Sequence, residues 1–250
     1  MLALGVIQPS ASPWASLVVL VPKRDGSIQF CVDYWKLNAI TVSDAYPMSR
    51  PDELLDKLGG ARYLTTMDLT KGYWQVPLDA DARLKSAFIT PLGLCEFLTL
   101  PFGLKRALAT FQRMVDQLLR GMESFALAYI DCICVFSQTR EDHVSQVRQV
   151  LDRLQEAGLT VKAEKCKVGM AEVSYLGHQV GSGRLKPEPA KVEVIIDWPA
   201  PHTKKQVQAF IELAGYYRRF VPHFSAIATP ITSVHRRLRH GTGGGVNAGG

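Results

Sequence analysis

The sequence has no CxxC pair and no histidines at zinc spacing beside its five cysteines, Cys31, Cys95, Cys132, Cys134 and Cys166. An odd, scattered set of thiols argues against a disulfide framework or a structural zinc site and points to a reducing compartment. The start, MLALGVIQ, lacks the basic n-region and long apolar core of a signal peptide, and the most hydrophobic later run, FALAYIDCICVF, is short and broken by Asp131. Neither secretion nor a membrane span is expected, and the expected location is intracellular, cytoplasmic or nuclear. There is no internal repeat of useful length. The glycine-rich end, GTGGGVNAGG, has no strand before it and no helix after it, so it is not a phosphate loop, and disorder is expected over 239–250.

What is present suits a folded chain. With 250 residues, 47% hydrophobic and 21% charged, the chain can bury a substantial core in one or two compact units. Lys plus Arg outnumber Asp plus Glu by 29 to 23, a formal charge of +6 that favours a polyanionic partner without requiring one.

Leu17 to Val21 and Ile28 to Val32 read as a hairpin with a basic tip at Lys23 and Arg24. Pro51, Asp52 and Glu53 open a helix closed by Gly59 and Gly60, and Tyr63 to Asp68 follows as a buried strand that Asp68 ends. Lys85 to Thr90 and Leu94 to Leu100 suggest a second hairpin, and Phe111, Met114, Val115, Leu118 and Leu119 share one helical face that stops at Gly121. Two strand-like runs, Phe125 to Ile130 and Ile133 to Phe136, flank Asp131 and Cys132, which places that polar pair at a tight turn. Thr139 with Asp142 starts a helix carrying Val144, Val147, Leu151 and Leu154, and strands are expected at Leu159 to Lys162 and Val173 to Val180. Helices follow at Lys191 to Trp198 and from a Thr203 cap to a stop near Gly215. Hairpins in place of regular βαβ units indicate an α+β fold with a mostly antiparallel sheet.

Two carboxylates at the ends of neighbouring strands, Asp68 and Asp131, suit hard divalent cations that complete their shells with substrate phosphates. That is a phosphoryl-transfer site in outline. Taken alone, an aspartate at a strand end is more often a turn residue.

The strings VPKRDGSIQFCVDYWKLNAIT, DAYPMSRPDELLDKLGGARYLTTMDLTKGYWQVPL, LPFGLKRALATFQR, AYIDC, EDHVSQVRQVLDRLQEAGLTVKAEKC, YLGHQV and TKKQVQAFIELAGYYRRF closely resemble, in order, the reverse transcriptases of gypsy-class long-terminal-repeat retrotransposons. The similarity covers about residues 5 to 232. It implies a right-hand polymerase fold, with fingers over 1–43 and 76–107, a ferredoxin-like antiparallel palm over 44–75 and 108–183, and a small helical thumb over 184–238. It implies RNA or DNA template with primer and deoxynucleoside triphosphates as partners, no membrane, and two Mg²⁺ ions as cofactor with Mn²⁺ as the alternative.

By the same resemblance, Asp68 and Asp131 are metal-binding catalytic residues, and Tyr73 is the aromatic residue under the incoming sugar or, more plainly, a packed ring. Lys23 and Arg24 match the finger tip that closes over the triphosphate, Gln29 a triphosphate contact, and Phe102, Gly103 and Gln112 the nucleotide pocket. Tyr129 belongs to the Tyr-x-Asp-Asp hairpin. Leu176, Gly177 and His178 match the primer-gripping turn, although His178 also suits an ordinary strand position.

The chain departs from the family at telling places. Cys132 stands where the second aspartate of the hairpin is expected, and a thiol is a soft ligand, mostly protonated near neutral pH. Gln29 replaces a common arginine, and Trp35, Arg106 and Leu108 replace a usual arginine, asparagine and proline. These changes suggest a worn copy with impaired polymerisation, so retained enzymatic activity stays an open question; a nucleic-acid-binding relic and an interaction module without a nucleic-acid role are the alternatives. The sequence stops before any ribonuclease H or integrase segment, and those activities are not expected in these residues.

Overall fold

The computed structural model describes residues 1–23 and 26–231. Arg24 and the glycine-rich tail over 239–250 lie outside the described residues. The chain divides into two compact units, 1–173 with 181–183, and 174–180 with residues from 184 onward.

At the centre of the first unit is a four-stranded antiparallel sheet in the order Ala126–Tyr129, Cys132–Ser137, Tyr63–Asp68, Lys167–Met170. The strand Tyr63–Asp68 is interior, and Leu64, Thr65, Thr66 and Met67 are all buried. That explains its continuous run without a polar side: both faces are covered. Helix Ala107–Leu118 buries Ala107, Phe111, Gln112 and Val115, and helix Arg140–Glu156 buries His143, Val150 and Leu154. Phe111, Val115, Val150 and Leu154 join Met67, Ile133 and Val135 in one apolar cluster. Each such side chain contributes about 1.5–3 kcal/mol on burial.

His143 crosses from its helix into the sheet. Its Nε2 is hydrogen-bonded to Thr65 Oγ1 at 2.7 Å and its Nδ1 to Ser137 Oγ at 2.9 Å. Burial holds the imidazole below its ordinary pKa and therefore neutral near pH 7.

The remaining sheets of the first unit are antiparallel too. Leu17–Pro22 pairs with Ile28–Asp33, and Gly93–Phe97 lies between Ile7–Pro9 and Phe88–Thr90. Phe88 joins the two by packing edge-on against Phe30 at 5.4 Å and beside Phe97 at 5.1 Å.

A further three-stranded sheet, Glu172–Tyr175, His178–Gly181 and Arg184–Pro187, has most of its residues in the second unit, followed by helices Pro189–Ile196 and Lys204–Tyr216. Thr203 and Gln206 form a reciprocal capping box at the second helix. Among the described residues no helix is long and apolar enough to cross a membrane.

Several expectations need correction. Lys85 belongs to a short helix, Ala80–Lys85, capped by the Asp79 carboxylate, and not to a strand. Strand Lys167–Met170 was not anticipated, and Leu159 to Lys162 supplies only a bridge between Val161 and Leu69. The expected strand from Val173 to Val180 is a hairpin folded at Leu176 and Gly177. Gly215 lies inside its helix and does not stop it. Of the apolar residues read on the helix from Thr139, Val144 and Leu151 are 57% and 41% exposed, and its inward face is His143, Val150 and Leu154.

Candidate active site

Strand register brings the candidate residues together. Asp68 stands directly opposite Cys132, and Cys132 opposite Tyr129 on the next strand. Directly opposed residues project from the same side of a sheet, so the Asp68 carboxylate and the Cys132 thiol share a face. The two-residue turn is therefore Ile130 and Asp131. The sequence had suggested Asp131 and Cys132, one position later, because polarity points to Cys132 whereas the ladder includes it.

Backbone bonds tie the strand ends to each other. Leu69 N–H donates to Asp131 O at 2.8 Å, and Lys162 N–H donates to Asp68 O at 2.8 Å. Asp131 is exposed, and the Asp68 side chain keeps 31% of its surface open. Both carboxylates act on the thiol between them. The Cys132 pKa is pushed up to about 12, first by burial, then by the charges of Asp131 and Asp68 and by Cys166, with Lys165 opposing. A thiol in that state is neutral at physiological pH and offers no anionic ligand.

Lys165 supplies a cation of the chain's own. Its Nζ lies 3.2 Å from Asp68 Oδ2, and its side chain is 57% exposed. So open a pair contributes at most about 1 kcal/mol and is easily exchanged for another cation.

The turn rests on a packed floor. Ile130 has φ +56°, a conformation that a β-branched residue rarely adopts. Its N–H donates to Gln112 Oε1 at 2.7 Å, and Gln112 is fully buried. Gly72 makes room beneath Asp131: an added Cβ would come within 2.9 Å of Phe111 Cζ and 3.3 Å of Asp131 Cβ. The adjacent Tyr73 ring meets Phe102 and Phe111 edge-on, at 4.7 and 5.0 Å. Burial, and then the charge of Asp131, raise the Tyr73 phenol, which stays protonated.

Among the residues expected to bind nucleotide, Gln29, Phe102 and Gly103 line one pocket of about 160 Å³ together with Cys31 and Trp74. Phe102 is 58% exposed there. Gly103 has φ +95° and a Cβ would touch the Tyr34 ring at 3.4 Å, which explains the glycine. Lys23 sits at the exposed hairpin tip, where its N–H donates to Ser27 O at 2.8 Å. Gln112 lies beneath the Asp131 turn and its amide is committed there, to Ile130, Ala128 and Asp116.

In the second unit, Leu176 and Gly177 have φ of +47° and +67° and form the hairpin turn. His178 is buried and hydrogen-bonded through Nδ1 to Leu176 O at 2.7 Å. The Tyr216 and Tyr217 hydroxyls donate to Leu176 O at 2.7 Å and Gly177 O at 2.9 Å.

Sequence reasoning missed Asn38 and Lys165. Asn38 Nδ2 donates to Gly103 O at 2.7 Å and its Oδ1 accepts from Lys105 N at 2.8 Å, which pins the Phe102–Gly103 bend. No local signal marks either residue, since their partners lie 65 and 97 positions away.

Asp68 and Asp131 are oxygen donors suited to a hard divalent cation, while the third position offers a neutral sulfur. Among the described residues no group of three His, Cys, Asp or Glu side chains is arranged to hold a metal ion.

The family model described as reverse transcriptase (RNA-dependent DNA polymerase) matches residues 21–180. The chain is 41% identical over 239 residues to the retrovirus-related Pol polyprotein from transposon 297 of Drosophila melanogaster, covering 93% of this chain and 23% of that protein. It is 38% identical over 237 residues to the Pol polyprotein from transposon gypsy of the same organism, covering 92% and 23%. Among solved structures it resembles the foamy viral protease-reverse transcriptase bound to double-stranded DNA, with TM-score 0.86, 27% identity, and coverage of 93% of this chain and 41% of that one. The same viral protein bound to an RNA/DNA hybrid gives TM-score 0.83 at 26% identity, covering 94% and 32%. The chain thus spans about a quarter of the length of these Pol polyproteins.

Proposed function

This chain belongs to the reverse transcriptase (RNA-dependent DNA polymerase) family, and we propose that it is the polymerase region of a retrotransposon Pol polyprotein whose two-metal chemistry is impaired at Cys132. Its substrates are a primer on an RNA or DNA template and deoxynucleoside triphosphates. The foamy viral relatives bound to double-stranded DNA and to an RNA/DNA hybrid support the nucleic-acid partner.

One observation carries the proposal: Asp68, opposite Cys132 and bonded through the neighbouring backbone to Asp131, puts two carboxylates at one strand-end edge. Asp68 and Asp131 are the residues that would hold Mg²⁺ or Mn²⁺. When bound, such ions lower the pKa of a primer hydroxyl and neutralise charge on the leaving pyrophosphate. Tyr73, wedged between Phe102 and Phe111, is the rigid floor on which a sugar would rest, and its neutral phenol adds no charge beside Asp131. Lys23 supplies an ammonium for triphosphate oxygens, and Gln29 supplies an amide that can donate a hydrogen bond but carries no charge.

Cys132 weakens this arrangement. A soft sulfur suits Mg²⁺ poorly and compensates the charge on bound cations less well than a carboxylate would, and removing one such electrostatic group costs roughly 10²–10³ in turnover. The Lys165 ammonium at Asp68 competes for the same oxygen. That pair is easily exchanged, so Cys132 is the feature that favours a second reading, in which the basic chain still tracks duplex phosphates although chemistry has failed.

A primer-extension assay with Mg²⁺ or Mn²⁺, run beside a duplex-binding titration, separates the two. Weak extension that Cys132→Asp raises by about 10²-fold supports the impaired polymerase. Equal rates for both forms contradict the role given to position 132, and duplex binding insensitive to salt contradicts the electrostatic relic.

A further inference from the structure

Beneath the turn that carries Asp131 runs a chain of polar groups that the chemistry above leaves unused. Gln112 Nε2 donates to Asp116 Oδ1 at 2.8 Å and to Ala128 O at 3.2 Å, while Gln112 Oε1 accepts from Ile130 N. The second oxygen of Asp116 accepts from the Tyr46 hydroxyl at 2.7 Å. The Arg113 guanidinium lies over the Tyr46 ring, 4.7 Å from its centre, and donates from Nη2 to both oxygens of Asp44 at 2.8 and 2.9 Å. Asp44 Oδ1 also accepts from Tyr46 N at 3.0 Å.

A carboxamide has one accepting end and one donating end, so its orientation follows from what faces it. At Gln112, two acceptors, the Asp116 carboxylate and the Ala128 carbonyl, face the same end. The NH₂ group must sit there, and the oxygen is thereby turned toward Ile130. A flipped amide would set oxygen against two acceptors and leave the Ile130 N–H facing a donor.

We infer that Asp116 and Tyr46 are positioning residues that act through Gln112: they fix the direction of its amide, and that amide holds Ile130 in its left-handed conformation and so aims Asp131. Tyr46 gives Asp116 a permanent neutral donor, since its bond to Asp116, more than its burial, raises its pKa. Arg113 and Asp44 anchor Tyr46 in turn, with the Arg113 bond holding Asp44 below the usual carboxylate range. The catalytic consequence rests on the polymerase reading of Asp131; the bracing itself does not.

Amide hydrogen exchange in the full chain tests the chain of contacts at its end point, the Ile130 N–H. Val135, paired on both sides within the central sheet, is the internal reference. In Tyr46→Phe the Ile130 amide should exchange about tenfold faster with Val135 unchanged, and Asp116→Leu should accelerate it further. Asp116→Asn, which keeps an acceptor oxygen for Gln112, should restore most of the protection lost in Asp116→Leu. The inference is overturned if Ile130 exchanges at the wild-type rate in Tyr46→Phe, if Ile130 and Val135 accelerate together in that variant, or if Asp116→Asn behaves as Asp116→Leu. A wild-type chain that extends no primer would count against the polymerase reading and leave this exchange pattern as predicted.

Discussion

The hairpin turns at Ile130–Asp131 and at Leu176–Gly177 both use positive φ and are braced by different means. At Ile130 and Asp131 the strained residue is β-branched, with φ +56°, and a fully buried glutamine amide braces it from inside the core. At Leu176 and Gly177 one of the two strained positions is glycine, and the carbonyls are held by phenol hydroxyls and an imidazole. Gly177 has φ +67°, and a Cβ there would lie 3.1 Å from the Tyr217 hydroxyl, so the backbone conformation and the closeness of the brace both favour glycine. Each turn holds one non-glycine residue at positive φ, Ile130 and Leu176, at a cost of about 1–3 kcal/mol, and the β-branched Ile130 tolerates it less well than Leu176. The lesson is that the scaffold under Asp131 is fully bonded: the bracing of Ile130 is complete, while the neighbour of Asp131 is a thiol, the position at which the proposed function places the impairment.

That contrast predicts unequal costs for cutting the two braces. Gln112→Leu removes the partner of the half-buried Ile130 N–H and one of the two donors to Asp116, and should destabilise the first unit by about 1–3 kcal/mol. Tyr217→Phe removes only one hydroxyl bond to Gly177 and should cost about 0.5–1.5 kcal/mol. Thermal denaturation of both variants checks the order, and a larger loss in Tyr217→Phe would break the comparison.

A smaller effect separates the regions by pH. His143, inside the first unit, has its folded pKa below the unfolded value, so the unfolded chain binds more protons as pH falls below about 6.5. The stability it supports is full above that pH and is lost on acidification through the folded pKa. Melting temperature should fall by a few degrees over that window in the wild type, and less in His143→Gln. Equal slopes in the two proteins would remove His143 from the explanation.

Parts of this architecture were legible from the residues alone. The strand Tyr63–Asp68 was readable because four consecutive buried positions leave no polar side, and helices announced themselves where Thr139 and Thr203 supply a cap. The helix Ala80–Lys85 was not, since ADARLK buries nothing and has no apolar stripe to detect. Gly215 reads as a stop by local preference, yet the helix continues past it to Tyr216. The turn at Asp131 was misplaced by one residue because polarity marks Cys132 as a turn residue, whereas it is paired with Asp68 and Tyr129 in the ladder. Asp68 and Asp131 were readable as carboxylates at neighbouring strand ends, the remaining site residues came from family resemblance, and the pairing of Asp68 with Cys132 came from strand register.

The most direct test of the central claim is divalent-ion binding, measured by titrating Mn²⁺ into wild type, Cys132→Asp and Asp68→Asn and following the free ion by paramagnetic resonance. If Asp68 and Asp131 share a cation that Cys132 fails to support, affinity should rise by at least about tenfold in Cys132→Asp and fall below wild type in Asp68→Asn. Identical affinities in all three proteins would contradict it.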